Sequence, residues 1–98
     1  VHAEDVPPDD EALVEVIPRG RPVYLSIDLD VLDPSVLPGT SSPEVDGLRY
    51  AEVMRIVQAV AAQNDVLAID VVELCPVVDP SGTSALVAAR LAVECLAT

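Results

Sequence analysis

The sequence predicts an α/β fold, and three observations lead there. A strand-like run that starts at Val23, carries Asp28, Asp30 and Asp33 and stops at Pro34, expected to be buried on both faces, is followed by a helical stretch and a second such run, Val66 to Leu74, with the spacing of a βαβ unit. The 98 residues are 51% hydrophobic but only 2% aromatic, so the core must be built from Val, Leu, Ile and Ala, as in sheets covered by helices. Both strand-like runs also end in acidic residues and are closed by proline, Pro34 and Pro76. In a βαβ unit the strands are parallel and joined by a right-handed crossover. Both acidic ends are therefore expected on one edge of the sheet, where open α/β sheets bind ligands.

Each element follows from its residues. Residues 1–8 are polar, end in Pro7-Pro8 and read as a loop, with His2 given no site role. Asp9-Asp10-Glu11 places acids on the first turn of a short helix, favourable for its dipole, and Pro18 stops it. Arg19-Gly20-Arg21-Pro22 turns into the first strand. Ser35 to Gly47 lacks periodicity and contains Pro38 and Pro43, so a stiff loop of defined path is expected, and loops this long are commonly functional. Leu48 to Gln63 reads as a helix with Val53, Ile56, Val57 and Val60 inward. Val77 to Gly82 is a second loop. Thr83 to Leu96 is a last, Ala-rich helix, with Leu86, Ala89, Val93 and Leu96 expected on its inner side.

Charge narrows the partners. The formal net charge is −12, and the five basic residues are all Arg. Nucleic acid and anionic membrane surfaces are repelled by such a balance, whereas a cationic substrate or a divalent metal suits it. Cys75 and Cys95 are too few for a disulfide framework and lie in no CxxC pair, so free thiols and a cytoplasmic location are expected. No apolar run approaches the ~20 residues of a membrane span. The chain opens on Val1 rather than Met, which suggests a piece of something longer.

The chemistry is carried by carboxylates. Side chains alternate along a strand, so Asp28 and Asp30 are expected to point to the same side, roughly 6.5–7 Å apart at Cα. Two carboxylates aimed at one point repel unless a cation lies between them, and oxygen ligands of this kind suit Mg²⁺ or Mn²⁺. The alternative is a pair of capping or turn residues. Asp33, just before Pro34, is either a turn-former or an outer residue that holds the loop and a ligand in place. Glu73 needs a partner in its apolar run: a cationic substrate group, preferably a planar guanidinium, or an Arg. Asp70, expected on the opposite face from Glu73, is assigned a structural role.

Ser26-Ile-Asp-Leu-Asp-Val-Leu-Asp-Pro34, Pro38-Gly-Thr-Ser-Ser-Pro43, Val72-Glu-Leu-Cys-Pro76 and Asp79-Pro-Ser-Gly-Thr-Ser-Ala85 together resemble the C-terminal part of the ureohydrolases. This is the arginase and agmatinase family, and agmatinase-like members are the most similar in wording. The resemblance implies a three-layer α/β/α fold with a parallel sheet, arginase/deacetylase-like, of which residues 1–98 form a single partial, C-terminal portion. It implies Asp28 and Asp30 as metal ligands and Glu73 as the substrate-binding glutamate. Two Mn²⁺ ions per full-length subunit are implied, with a metal-bridging hydroxide attacking the guanidinium carbon to release urea and an amine. Trimers or hexamers are implied too. Two departures stand out. Ser41 replaces a usual glycine, where a positive φ would be strained, and Asp46 stands where Gly or a small residue is common.

The family's remaining metal ligands lie in Gly-Gly-Asp-His and Asp-Ala-His-x-Asp segments, and neither occurs here. The 98-residue piece alone is therefore expected to be inactive. Two further readings remain. One is a truncated, non-catalytic homologue that acts as an assembly or binding module. The other is a haloacid-dehalogenase-type phosphatase with Asp28 as nucleophile and Asp30 as general acid. The second lacks the downstream Lys that such enzymes need, since the chain has none.

Overall fold

The computed structural model describes Val6, Pro7 and residues 9–98; His2 lies outside the described residues. The element order is α1 (Asp10–Val16), β1 (Pro22–Asp28), α2 (Tyr50–Gln63), β2 (Asp65–Val72) and α3 (Thr83–Leu96), with short 3₁₀ turns at Leu29–Val31 and Pro76–Val78. The α, β, α, β, α order matches the sequence expectation. At the start of α1 the Asp9 carboxylate accepts the Ala12 N–H at 2.7 Å and caps the helix.

The strands pair in parallel, with Ser26 opposite Asp70 and Asp28 opposite Val72. The ladder is irregular between Val23 and Tyr24, where Leu67 is left unpaired and exposed. On β1, Val23, Leu25 and Ile27 turn inward, while Tyr24, Ser26 and Asp28 lie on the exposed face. There the Asp70 carboxylate accepts the Ser26 hydroxyl at 2.5 Å and the Tyr24 hydroxyl, so both strands are tied just before their acidic ends. This accords with the structural role assigned to Asp70.

The core gathers Ile27, Leu29, Leu32, Leu37 and Leu48 with Val53, Met54 and Val57 of α2 and Ala88, Leu91 and Cys95 of α3. The inner face of α3 differs from expectation. Ser84, Ala88, Leu91 and Cys95 are buried, whereas Leu86, Val93 and Leu96 are 66–78% exposed. The helix is apolar around most of its circumference, so two stripes at helical spacing compete. Its start, tethered through Ser84, turns the Ala88–Leu91 stripe inward.

The long loop has the defined path expected of it. Leu32 bridges to Leu48 at its base, the Asp33 N–H donates to the Leu48 carbonyl at 2.8 Å, and the fully buried Leu37 anchors its first half.

Candidate active site

β1 stops two residues earlier than the alternation argument needs. Asp28 is its last residue, and the chain then enters the 3₁₀ turn Leu29–Val31, which the Asp28 carboxylate caps by accepting the Asp30 N–H at 3.1 Å. Asp28 and Asp30 are thus not alternate residues of one strand. They are brought together through a turn, and the 6.5–7 Å strand spacing does not apply. A carboxylate that caps its own turn is held in place by the backbone it serves.

The electrostatics of this turn are unfavourable without a cation. Asp30 is raised above the ordinary carboxylate value, first by burial, then by its hydrogen bond with Asp28 and by the charges of Asp28, Glu73 and Glu44. The acidic ends of both strands therefore act on one residue. Glu44, from the long loop, was not singled out by sequence reasoning, because a lone acid in a polar loop carries no pattern.

Glu73 also departs from its expected place. β2 ends at Val72, and Glu73 lies one residue beyond it, exposed, with φ +74. Among the described residues only Asp46, with φ +59, shares a positive φ without being glycine. Such a backbone costs about 1–2 kcal/mol for an ordinary side chain, less for Asp. The expected strain at Ser41 is thus absent, and the strained position in this loop is Asp46.

Asp33 braces the loop. Its carboxylate accepts the Ser35 N–H at 3.0 Å, the Ser35 hydroxyl at 2.5 Å and the Gly47 N–H at 3.1 Å. These bonds, led by the Ser35 hydroxyl, hold its carboxyl below the usual range. Asp33 is thus a turn-former that, by reaching Gly47, also closes the base of the loop.

A third constellation was not foreseen as a unit. Asp79 and Ser84 are buried, and the Asp79 carboxylate accepts four bonds, from the N–H and hydroxyl of Ser81 and of Ser84, at 2.5–3.2 Å. Ser84 Oγ in turn accepts the Gly39 N–H at 2.8 Å, and the Gly39 carbonyl accepts the Cys75 N–H at 2.6 Å. Clustered Asp, Pro, Ser, Gly and Thr at 79–84 was the available signal; it marks a loop and a segment of family resemblance, but assigns Asp79 and Ser84 no role by itself.

Asp28 and Asp30 fit a hard divalent cation by donor type, and the crowding that raises Asp30 is what a cation relieves. They fall short in number: among the described residues, no three His, Cys, Asp or Glu side chains converge as a metal cage.

The described residues form a parallel α/β unit whose acidic strand ends share one edge, bridged by a braced loop. A sequence model of the arginase family matches residues 2–98, and the chain belongs to that family. An agmatinase of Blochmanniella floridana is 44% identical over 86 residues, which cover 88% of this chain and 28% of the relative. The human mitochondrial guanidino acid hydrolase is 43% identical over 77 residues, 79% of this chain and 22% of that protein. Among solved structures, a hypothetical agmatinase from Burkholderia thailandensis superposes with a TM-score of 0.71 at 40% identity, covering 80% of this chain and 25% of that one. The arginase of Medicago truncatula gives 0.70 at 36%, covering 89% and 28%. The fold is therefore that of the arginases and agmatinases, and the chain spans less than a third of the length of these relatives.

Proposed function

We propose that the protein carrying this chain is a ureohydrolase that converts a small cationic guanidino compound, agmatine-like, to urea and an amine. The observation that carries the reading is the register of the two parallel strand ends, which pairs Asp28 with Val72 and so sets Glu73 beside the Asp28–Asp30 turn, in a chain of the arginase family. Asp28 and Asp30 hold manganese together with ligands from outside this chain. When bound, the metal pair supplies an acidified water and Lewis-acid stabilisation of the developing charge. Glu73 faces the substrate, and its carboxylate accepts two parallel N–H bonds from a planar guanidinium. Asp33 keeps the loop between them at fixed length. The net charge of −12 draws a cationic substrate toward the site.

Names among the relatives support the substrate class, since agmatinases and a guanidino acid hydrolase recur. A cytoplasmic homo-oligomer, trimer or hexamer, belongs to the same proposal. The test is urea release by the intact protein with manganese, from agmatine, guanidinobutyrate and arginine. Turnover of at least one is expected, and silence on all three overturns the proposal. The incomplete metal cage among the described residues favours a second reading, a non-catalytic assembly or binding module. Stoichiometric manganese binding by the intact protein separates the two, because the module has no use for it.

A further inference from the structure

We propose that Asp79 is a positioning residue for Glu73, acting through Ser84, Gly39 and Cys75. The route is a chain of bonds across three segments distant in sequence. An ionised carboxylate only accepts, so the single hydroxyl proton of Ser84 is directed to Asp79 at 2.5 Å. The lone pairs of Ser84 Oγ are thereby left for the Gly39 N–H at 2.8 Å. Gly39 can sit there only because it has no side chain: a Cβ would lie 2.6 Å from Ser84 Cβ and 2.7 Å from its Oγ. Its carbonyl then receives the Cys75 N–H at 2.6 Å, two residues after Glu73.

Glu73 needs this support. Its φ of +74 is disfavoured for a side-chain-bearing residue, and such conformations persist only where the surroundings over-determine them. Before Glu73 the β2 ladder holds the chain to Val72; after it, the bond from Cys75 to Gly39 closes the segment. The acceptor role of Asp79 is secured by its four donors, which hold its carboxyl down to about 2, ionised at any working pH. An amide cannot replace it, because the NH₂ of Asn would face two N–H or O–H donors of Ser81 or Ser84.

The inference rests on Glu73 as the guanidinium carboxylate, and the test separates the two. In the intact protein, Asp79→Asn breaks the relay at its source. Ser84→Ala, the milder variant, removes only the hydroxyl and leaves the Ser84 N–H on Asp79, so the start of α3 stays capped. Three readouts are taken: KM and kcat with agmatine, manganese content, and the rate at which iodoacetamide alkylates the half-buried Cys75. Both variants are expected to raise KM about tenfold with kcat within about threefold, since misplacing a binding group acts on substrate fit. Manganese content stays at the wild-type value, and Cys75 reacts about tenfold faster as its segment opens more often. A lowered melting temperature with either KM or Cys75 reactivity at the wild-type value overturns the inference. If the wild type releases no urea, the guanidino reading fails by itself, and Cys75 reactivity alone decides whether Asp79 holds the segment.

Discussion

The main-chain N–H of Gly47 donates to Asp33 Oδ1 at 3.1 Å, and a Cβ on Gly47 would lie 2.6 Å from the Asp33 nitrogen and 2.7 Å from its Cα. Main-chain atoms cannot rotate aside, so the base of the long loop closes only around a glycine. Gly47→Ala is expected to destabilise the protein by about 3 kcal/mol, the upper end for overpacking. Gly20→Ala is the control: its φ is +65 but nothing lies within 4 Å of the added methyl, and about 1 kcal/mol is expected. Urea denaturation midpoints compare them, and equal shifts would show that the loop base is not tightly closed.

Acid should loosen the Asp79 knot at a defined pH. The folded carboxyl is held to about 2 against an ordinary 3.8, led by the Ser81 and Ser84 hydroxyls. A lowered folded pKa means that the unfolded chain binds protons first, so the contribution is fully present above about pH 4 and is lost as pH falls toward 2. Asp33 and Asp70, also lowered by hydroxyl donors, add in the same direction. Stability measured from pH 6 to 2 should drop steeply in that window, and less steeply in Asp79→Asn. Parallel curves for the two proteins would refute the assignment.

How much of this was legible follows from the kind of signal each feature carries. The parallel βαβ unit was legible because aliphatic runs, a 3.6-residue period and intervening breakers are local properties. The shared acidic edge followed from topology. The inner face of α3 was not legible, since Leu86 and Val93 are as apolar as Ala88 and Leu91, and a tether at Ser84 made the choice. Nor was the turn at Asp28, because a hydrophobic Leu29-Asp-Val31 continues the alternating pattern while the backbone turns into a 3₁₀ helix. The left-handed Glu73 was hidden for a similar reason. Its residue type argues against that conformation, and bonds from residues 39 and 84 enforce it from far along the chain.

Metal affinity should rank Asp28 and Asp33 in a fixed order. Loss of an outer residue that orients a ligand costs about 10–100-fold in metal affinity. Asp33→Ala, which frees the loop from Ser35 and Gly47, is expected in that range. Asp28→Ala removes both a donor and the cap on the Asp30 turn, and more than about 100-fold is expected, with activity abolished. Manganese titration of the intact protein by calorimetry decides the order. Equal affinities in wild type and Asp28→Ala would remove Asp28 from the metal site.

At Glu73 function and backbone preference are opposed, and two substitutions separate them. Glu73→Ala and Glu73→Gly both delete the carboxylate, so both should lose agmatine turnover while keeping manganese. They differ in the backbone alone. At φ +74 alanine keeps the Cβ that the left-handed region disfavours, whereas glycine does not. Glu73→Gly is therefore expected to be about 1 kcal/mol more stable than Glu73→Ala, against the usual ranking, in which glycine costs stability in regular structure. Urea midpoints of the two variants measure the difference directly. If alanine proves the more stable, the positive φ is not the native backbone at this position, and the relay from Asp79 has no strained segment to hold.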